Sequence, residues 1–160
     1  MVDQMTLSGL FNRLLRYLAR RGLRDAARLI PSESTRIAQP TRPAPAPQGQ
    51  MRLHLFGAHF DSQSAAEAFC LSPPGTELPS ALTQQLSGAF VDDAQVEAVH
   101  DDIPARLAEF LDPEGVDDVL LRLSGDNTLI ILTELAFGGL PYNLDDTADL
   151  TYLGDIMVAV

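Results

Sequence analysis

Two histidine and aspartate groups are the residues of this chain best suited to chemistry. His59 and Asp61 are separated by one residue, and His100 is followed directly by Asp101 and Asp102. An imidazole beside a carboxylate can bind a metal ion or transfer a proton. A metal-dependent hydrolase that uses His59, Asp61, His100 and Asp102 is therefore one hypothesis.

The sequence lacks the signatures of the common enzyme classes. It contains no G-x-S-x-G nucleophile motif, no phosphate-binding loop, no dinucleotide fingerprint and no Cys-x-x-Cys pair. The single cysteine, Cys70, excludes an internal disulfide and is more typical of a small core residue than of a nucleophile. We therefore expect a protein that is not an enzyme and that holds no cofactor or metal ion.

Charge is distributed unevenly along the 160 residues. Residues 1–50 contain eight arginines and three acidic residues, a formal charge of +5. Residues 51–160 contain three arginines and 19 acidic residues, a formal charge of −16. An acidic domain of this size repels nucleic acid and attracts cationic surfaces, at a rate that falls with salt. A basic protein is the expected partner, although acidity also favours solubility alone.

The elements that must position these residues divide the chain into three parts. Residues 6–30 carry an apolar stripe at helical spacing, and Pro31 ends this predicted helix. Prolines alternate with small and polar residues between residues 36 and 50, which predicts an extended linker. The predicted parts are a basic amphipathic helix at residues 1–31, a proline-rich linker at 32–50 and an acidic domain at 51–160.

Hydrophobic patterning predicts three strands in the acidic domain. Residues 51–60 alternate as in a half-buried strand, and Gly57 indicates a bulge or a close backbone approach. Residues 127–134 include four consecutive apolar residues, which is typical of a central strand covered on both faces. Residues 150–160 form the predicted last strand, interrupted at Gly154.

Capping residues predict where the helices of this domain begin. Ser64 and Glu67 fit a capping box, while Asp102 and Asp112 each precede a helix with proline in its first turn. A short helix at residues 79–86 and a short strand at 89–91 are also expected. The predicted fold class is α+β, with a mixed or antiparallel sheet and helices packed on one face.

The basic helix points to a different class of function. Its arginines include Arg13, Arg16, Arg20 and Arg24. A basic amphipathic helix on a tether binds an anionic membrane surface or a partner protein. The alternative function is therefore a membrane- or partner-tethered scaffold module whose acidic domain recruits a basic protein. The helix packing on its own domain, or having no role, are the remaining alternatives. Because no apolar run approaches the roughly 20 residues that span a bilayer, we expect a cytoplasmic protein, peripheral to the inner membrane in the tethered alternative.

Short motifs from Met51 onward carry a resemblance to a known family. They are the opening LFGAHF, the helix start at Ser64 and Glu67, the segments AFVDDAQVEAVHDD and NTLIILTE, and a last strand with Tyr152-Leu153-Gly154. In their order these motifs resemble the immunity protein 22 family of bacterial polymorphic-toxin systems. The chain departs from that family at His54, where the family carries an aromatic residue, and in its N-terminal arginine helix.

The resemblance implies a protein that binds a cognate toxin and blocks its active site without turnover. Toxins that degrade nucleic acid are often basic, so carboxylates would stand in for phosphates at the contact. The binding is expected to be tight and to weaken as salt is added. The expected partner contacts are Asp92, Asp93, Asp101, Asp102, Asp145 and Asp146.

Overall fold

The computed structural model describes residues 42–86 and 89–160 of the chain. The predicted basic helix at residues 6–30 lies outside the described residues. Its four candidate docking residues, Arg13, Arg16, Arg20 and Arg24, therefore remain predictions.

The described residues form four strands and four α-helices, with short 3₁₀ turns at Asp93–Gln95 and Glu134–Phe137. In chain order these elements are β1 (Gln50–Ala58), α1 (Gln63–Cys70), α2 (Ala81–Gln85), β2 (Val96–Val99), α3 (Ile103–Ala108), α4 (Pro113–Leu123), β3 (Thr128–Thr133) and β4 (Thr151–Ala159).

The four strands form one antiparallel sheet in the order β2-β3-β1-β4. The predicted α+β class is thus confirmed, with the sheet antiparallel throughout. β3 is a central strand, as expected from its run of apolar residues, and is buried from Thr128 to Leu132. β1 is also central and is buried from Leu53 to Ala58, so the prediction of a half-buried strand was wrong.

Helices cover both faces of the sheet, which corrects the expectation of helices on a single face. On one face, Leu53 and Leu55 of β1 pack in a core cluster with buried residues of α3 and α4. On the other face, Phe56 and Ala58 pack in a second cluster with Cys70 of α1 and with α2. Both faces are covered because β1 carries apolar residues on each face, Leu53 and Leu55 on one and Phe56 and Ala58 on the other, and covering them removes both from water.

The helix starts follow local capping chemistry with one shift in position. The α1 cap is Ser62, whose Oγ accepts a hydrogen bond from the Ala65 backbone N–H at 3.1 Å, so the predicted box at Ser64 was wrong. Asp112 caps α4 as expected, accepting from the Gly115 N–H at 2.8 Å. No strand forms at residues 89–91, which lie in an irregular segment.

Two glycines occupy positions that disfavour a side chain, one because of space and the other because of its backbone conformation. A Cβ on Gly57 would lie 2.6 Å from the Asp126 carboxylate, which confirms the predicted close approach. Gly154 has a φ of 100° beside the register shift between β1 and β4. Glycine adopts this left-handed backbone without the steric cost that a Cβ brings.

The last residues of the predicted linker lie against the domain. Pro43 and Ala46 are half-buried, and the carbonyl of Ala44 accepts a hydrogen bond from Arg52 Nη1 at 3.0 Å. The three-residue spacing of the two half-buried positions matches the period of a polyproline II helix. Residues 42–47 are therefore anchored, and they border a small cavity of about 230 Å³ together with Leu140 and Tyr142.

Candidate protein-binding surface

Aspartates from three loops lie at one end of the sheet. Strand pairing places the ends of β1 and β2 beside the starts of β3 and β4. The loops at these four strand ends carry carboxylates, and we term the following set the acidic end: Asp61, Asp101, Asp102, Asp145 and Asp146. Because β2 and β4 are the two outer strands, the acidic end is about 14 Å wide, three inter-strand spacings.

Four of the six predicted partner contacts belong to the acidic end, and two do not. Asp92 and Asp93 precede β2, so the four residues of that strand, about 13 Å, separate them from the acidic end. Both also have structural roles. The carboxylate of Asp92 accepts from the Ala94 N–H at 3.0 Å, and that of Asp93 accepts from the Ser72 N–H at 2.6 Å.

The aspartates of the acidic end differ in how far the fold uses them. Asp146 accepts a hydrogen bond from the Tyr152 backbone N–H at 2.9 Å, which ties its loop to β4. Asp102 precedes α3 with a φ of 54°, a left-handed conformation that aspartate adopts more readily than most residues. Its carboxylate makes no capping hydrogen bond. The exposed carboxylates of Asp101 and Asp145 have no hydrogen bond or ion pair with another described residue.

A side-chain network joins the loops that present these aspartates. The Asn127 side chain forms two hydrogen bonds with the backbone of Phe60. Its Oδ1 accepts from the Phe60 N–H at 3.0 Å, and its Nδ2 donates to the Phe60 carbonyl at 2.7 Å. The Thr128 hydroxyl lies 3.0 Å from Asn127 Oδ1 and 3.0 Å from His100 Nδ1. The ends of β1, β2 and β3 are thereby fixed relative to one another.

His54 anchors the loop that carries Asp145 and Asp146. Its Nε2 lies 2.7 Å from the Tyr142 hydroxyl and its Nδ1 lies 3.0 Å from the Tyr152 hydroxyl, so the imidazole joins the two sides of this loop. The ring is 4% exposed, with Phe137 packed edge-on against it. Sequence reasoning missed this role, because a single histidine in a strand does not indicate its partners.

Burial controls the protonation of this network. It lowers the pKa of His54 to about 4, and the carboxylate of Asp155 opposes the shift while Arg52 adds to it. Burial also raises the pKa of Tyr152 to about 12. At neutral pH all three rings are therefore uncharged, with one imidazole nitrogen donating a hydrogen bond and the other accepting one.

The residues of the metal-hydrolase hypothesis lie at the ends of β1 and β2 but do not form a metal-binding group. Within residues 42–86 and 89–160, no three histidine, cysteine, aspartate or glutamate side chains are grouped so as to hold a metal ion. His59 is exposed, and His100 is bound to Thr128. Cys70 is buried, and burial raises the pKa of its thiol to about 12, which disfavours the thiolate.

The aspartates of the acidic end form no ion pair with a described arginine. The ion pairs among the described residues all lie elsewhere: Arg52 with Asp155 at 3.3 Å, Arg106 with Glu97 at 2.7 Å and with Glu109, and Arg122 with Asp118. The negative potential of the acidic end is therefore not neutralised by these pairs.

A groove of about 380 Å³ beside β2 is a second concave feature that the sequence did not reveal. Its lining combines apolar residues such as Val96, Phe110 and Ile131 with the Arg106 and Glu97 pair. Both carboxylate oxygens of Glu97 bind the Arg106 guanidinium, at 2.7 and 2.8 Å. The polar side of this groove is thus engaged within the chain.

No helix in the described part of the chain has the length and apolar character needed to cross a membrane.

Comparison with protein-family models, with curated proteins and with solved structures finds no match to this chain.

Proposed function

We propose that this protein is a non-catalytic binding protein that engages a basic protein partner through the acidic end. The observation that carries the proposal is the gathering of Asp101, Asp102 and Asp145 as exposed carboxylates that form no ion pair with an arginine of residues 42–86 and 89–160. A concentration of one charge on a folded surface attracts the opposite charge and accelerates encounter. The −16 formal charge of residues 51–160 supports the same partner class and disfavours nucleic acid.

The function we favour within this class is that of an immunity protein in the cytoplasm. Such a protein would bind a cognate basic toxin and occlude its active site, as the resemblance of the sequence motifs implies. The width of the acidic end, about 14 Å, would accommodate several basic side chains of one partner. The toxin's phosphate-binding residues would then face the aspartates.

The energetics call for several charges acting together. An exposed ion pair contributes about 0.2–1 kcal/mol, so no single aspartate of the acidic end accounts for tight binding. Exposed charges are also screened over about 10 Å at 0.1 M salt. Added salt is therefore expected to slow association and to weaken the complex.

Affinity capture from extracts of the native host tests the proposal with two variants of equal net charge. D101N/D102N/D145N neutralises three carboxylates of the acidic end that the fold does not use. The control, E77Q/E114Q/D117N, neutralises three exposed carboxylates elsewhere. We expect the wild type and the control to retain the same basic protein at low salt, and the acidic-end variant to lose it.

The identity of the captured protein tests the immunity function. A captured toxin whose activity is blocked by the wild type but not by D101N/D102N/D145N would support it. A captured protein that both variants retain equally, or that is insensitive to salt, would contradict the role of the acidic end.

A further inference from the structure

One edge of the sheet presents unpaired backbone groups in a regular pattern. The Val160 N–H donates to the Gly49 carbonyl at 3.1 Å, which fixes the phase of the antiparallel ladder between β1 and β4. Alternate residues of β4 point their N–H and C=O groups toward β1. The backbone N–H and C=O groups of Asp155, Met157 and Ala159 therefore point away from the sheet. No described residue forms a hydrogen bond with these groups.

The side chains of this edge are largely apolar. Met157 is 39% exposed and Val160 is 75% exposed, while Ile156 is half-buried beside the core. We term residues 155–159 the open edge. A long apolar edge with free backbone groups is a template for pairing with another chain, and proteins normally blunt such edges.

The opposite edge of the same sheet is blunted. The side-chain amide of Gln63, the first residue of α1, donates from Nε2 to the Ala98 carbonyl at 2.8 Å. Its Oε1 accepts from the His100 N–H at 2.9 Å. One glutamine side chain thus takes the place of a neighbouring strand on β2, and the described residues contribute no such group to the open edge.

We infer that the open edge pairs with an extended, basic segment of the partner protein, which adds a fifth strand to the sheet. Main-chain hydrogen bonds to Asp155, Met157 and Ala159 would supply the pairing. Charge favours a basic occupant, because residues 51–160 carry a formal charge of −16 and a second copy of the chain would bring a further −11. The loop of Asp145 and Asp146 leads directly into β4, so a segment longer than the open edge reaches carboxylates of the acidic end.

This inference rests on the proposed function, since both depend on a basic partner. It adds the conformation of the partner segment and the backbone groups that bind it. The probe for testing it is a peptide of about eight residues, a typical strand length, in which lysine and valine alternate. The matched control peptide carries glutamate in place of each lysine.

Amide hydrogen exchange of the full chain reads out the pairing residue by residue. We expect the amides of Asp155, Met157 and Ala159 to exchange quickly in the free protein and to slow by about tenfold or more with the lysine peptide. The amides of Ile156 and Val158, which already face β1, should change little. Protection of the open edge in the free monomer, or protection that grows with protein concentration alone, would overturn the inference.

Two substitutions test whether the open edge itself is the site. Met157→Pro removes an outward N–H and leaves the β1 ladder intact, so protection of Asp155 and Ala159 by the peptide should be lost. Met157→Lys keeps the backbone but sets a like charge against the lysine peptide, and it should weaken the protection. Undiminished protection in both variants would contradict the inference.

The two proposals fail in different ways. Lysine-peptide binding that shifts only the acidic end, without slowing the three outward amides, would overturn the inference and leave the proposed function standing. Normal protection of the open edge in D101N/D102N/D145N, with unchanged affinity, would instead contradict the role of the acidic end.

Discussion

The two edges of the sheet differ in whether side chains bind their outward backbone groups, although both edges are antiparallel strands. β2 is four residues long, and its outer side is bound by Gln63. β4 is nine residues long. Near its start the Tyr152 N–H is bound by Asp146 at 2.9 Å and the Leu153 carbonyl by Arg122 Nη1 at 2.8 Å, whereas no described residue binds the outward groups of residues 155–159. The described chain thus closes its short edge and leaves most of its long edge accessible.

The difference indicates at which edge of the described sheet a further strand could pair. A free edge that faces a like-charged copy is protected by repulsion, whereas a closed edge needs no such protection. In the binding that we propose, the acidity that would repel a second copy would also attract a basic chain. Net charge and edge chemistry would then act together in selecting what can pair with β4.

The largest expected effect concerns the histidine that holds β4 from inside the sheet. His54 has an ordinary pKa near 6.5 when unfolded and about 4 when folded, so the unfolded chain binds the additional proton between these values. Stability contributed by neutral His54 is complete above pH 6.5 and is lost as the pH falls toward 4. The shift corresponds to about 3 kcal/mol.

Comparison with His54→Phe isolates this contribution, because carboxylates titrate in both proteins. The difference in unfolding free energy between wild type and H54F should favour the wild type at pH 7 and shrink by about 3 kcal/mol by pH 4. Urea unfolding at several pH values measures it. Parallel pH profiles for the two proteins would contradict the assignment of His54.

Proline substitution distinguishes the inner and outer sides of β4. Val158→Pro removes an N–H that bonds to β1 and leaves the carbonyl of Met51 without this donor, which should cost about 1–3 kcal/mol. Met157→Pro removes an outward N–H and should destabilise the fold clearly less. Urea midpoints of the two variants provide the measurement, and equal losses would mean that β4 has a different phase from the one assigned.

Removing the glutamine clamp should make the closed edge resemble the open one. Gln63→Ala deletes the hydrogen bonds to Ala98 and His100, with an expected cost of about 1–2 kcal/mol and faster exchange of the His100 amide. Gln63→Glu is the matched control, since its carboxylate can accept from His100 but cannot donate to Ala98. A His100 amide that exchanges equally slowly in all three proteins would show that the clamp does not close this edge.

The smallest expected effect is at the start of β4. Arg122→Gln removes the hydrogen bond to Leu153 and the ion pair with Asp118, yet it also removes a buried Nε that has no partner among the described residues. These contributions partly offset, so the loss should be below about 1 kcal/mol. Asp118→Asn removes the ion pair alone, and thermal unfolding of both variants separates the two contributions.

Local patterns predicted much of the fold. Alternating and continuous apolar runs located β1, β3 and β4, and Asp112 with Pro113 located the start of α4. These features depend on residues within a few positions of one another. The close approach at Gly57 was also predictable, because a glycine inside a strand pattern indicates crowding.

Long-range contacts explain what the sequence did not reveal. His54 meets Tyr142 and Tyr152, which lie 88 and 98 residues away, and nothing local to β1 indicates those partners. The separation of Asp92 and Asp93 from the acidic end depends on strand order, which local patterning does not determine. The same holds for Gln63, whose role requires that α1 pack beside β2.

The anchored residues 42–47 bear on where this domain can be cut. A fragment that begins at Met51 would lose the cover that Pro43 and Ala46 give to the surface around Tyr142, and would leave Arg52 without the Ala44 carbonyl. Residues 42–47 belong to the same compact unit as the sheet. Protease digestion should therefore release a resistant fragment that retains these prolines, and recombinant fragments are best started ahead of them.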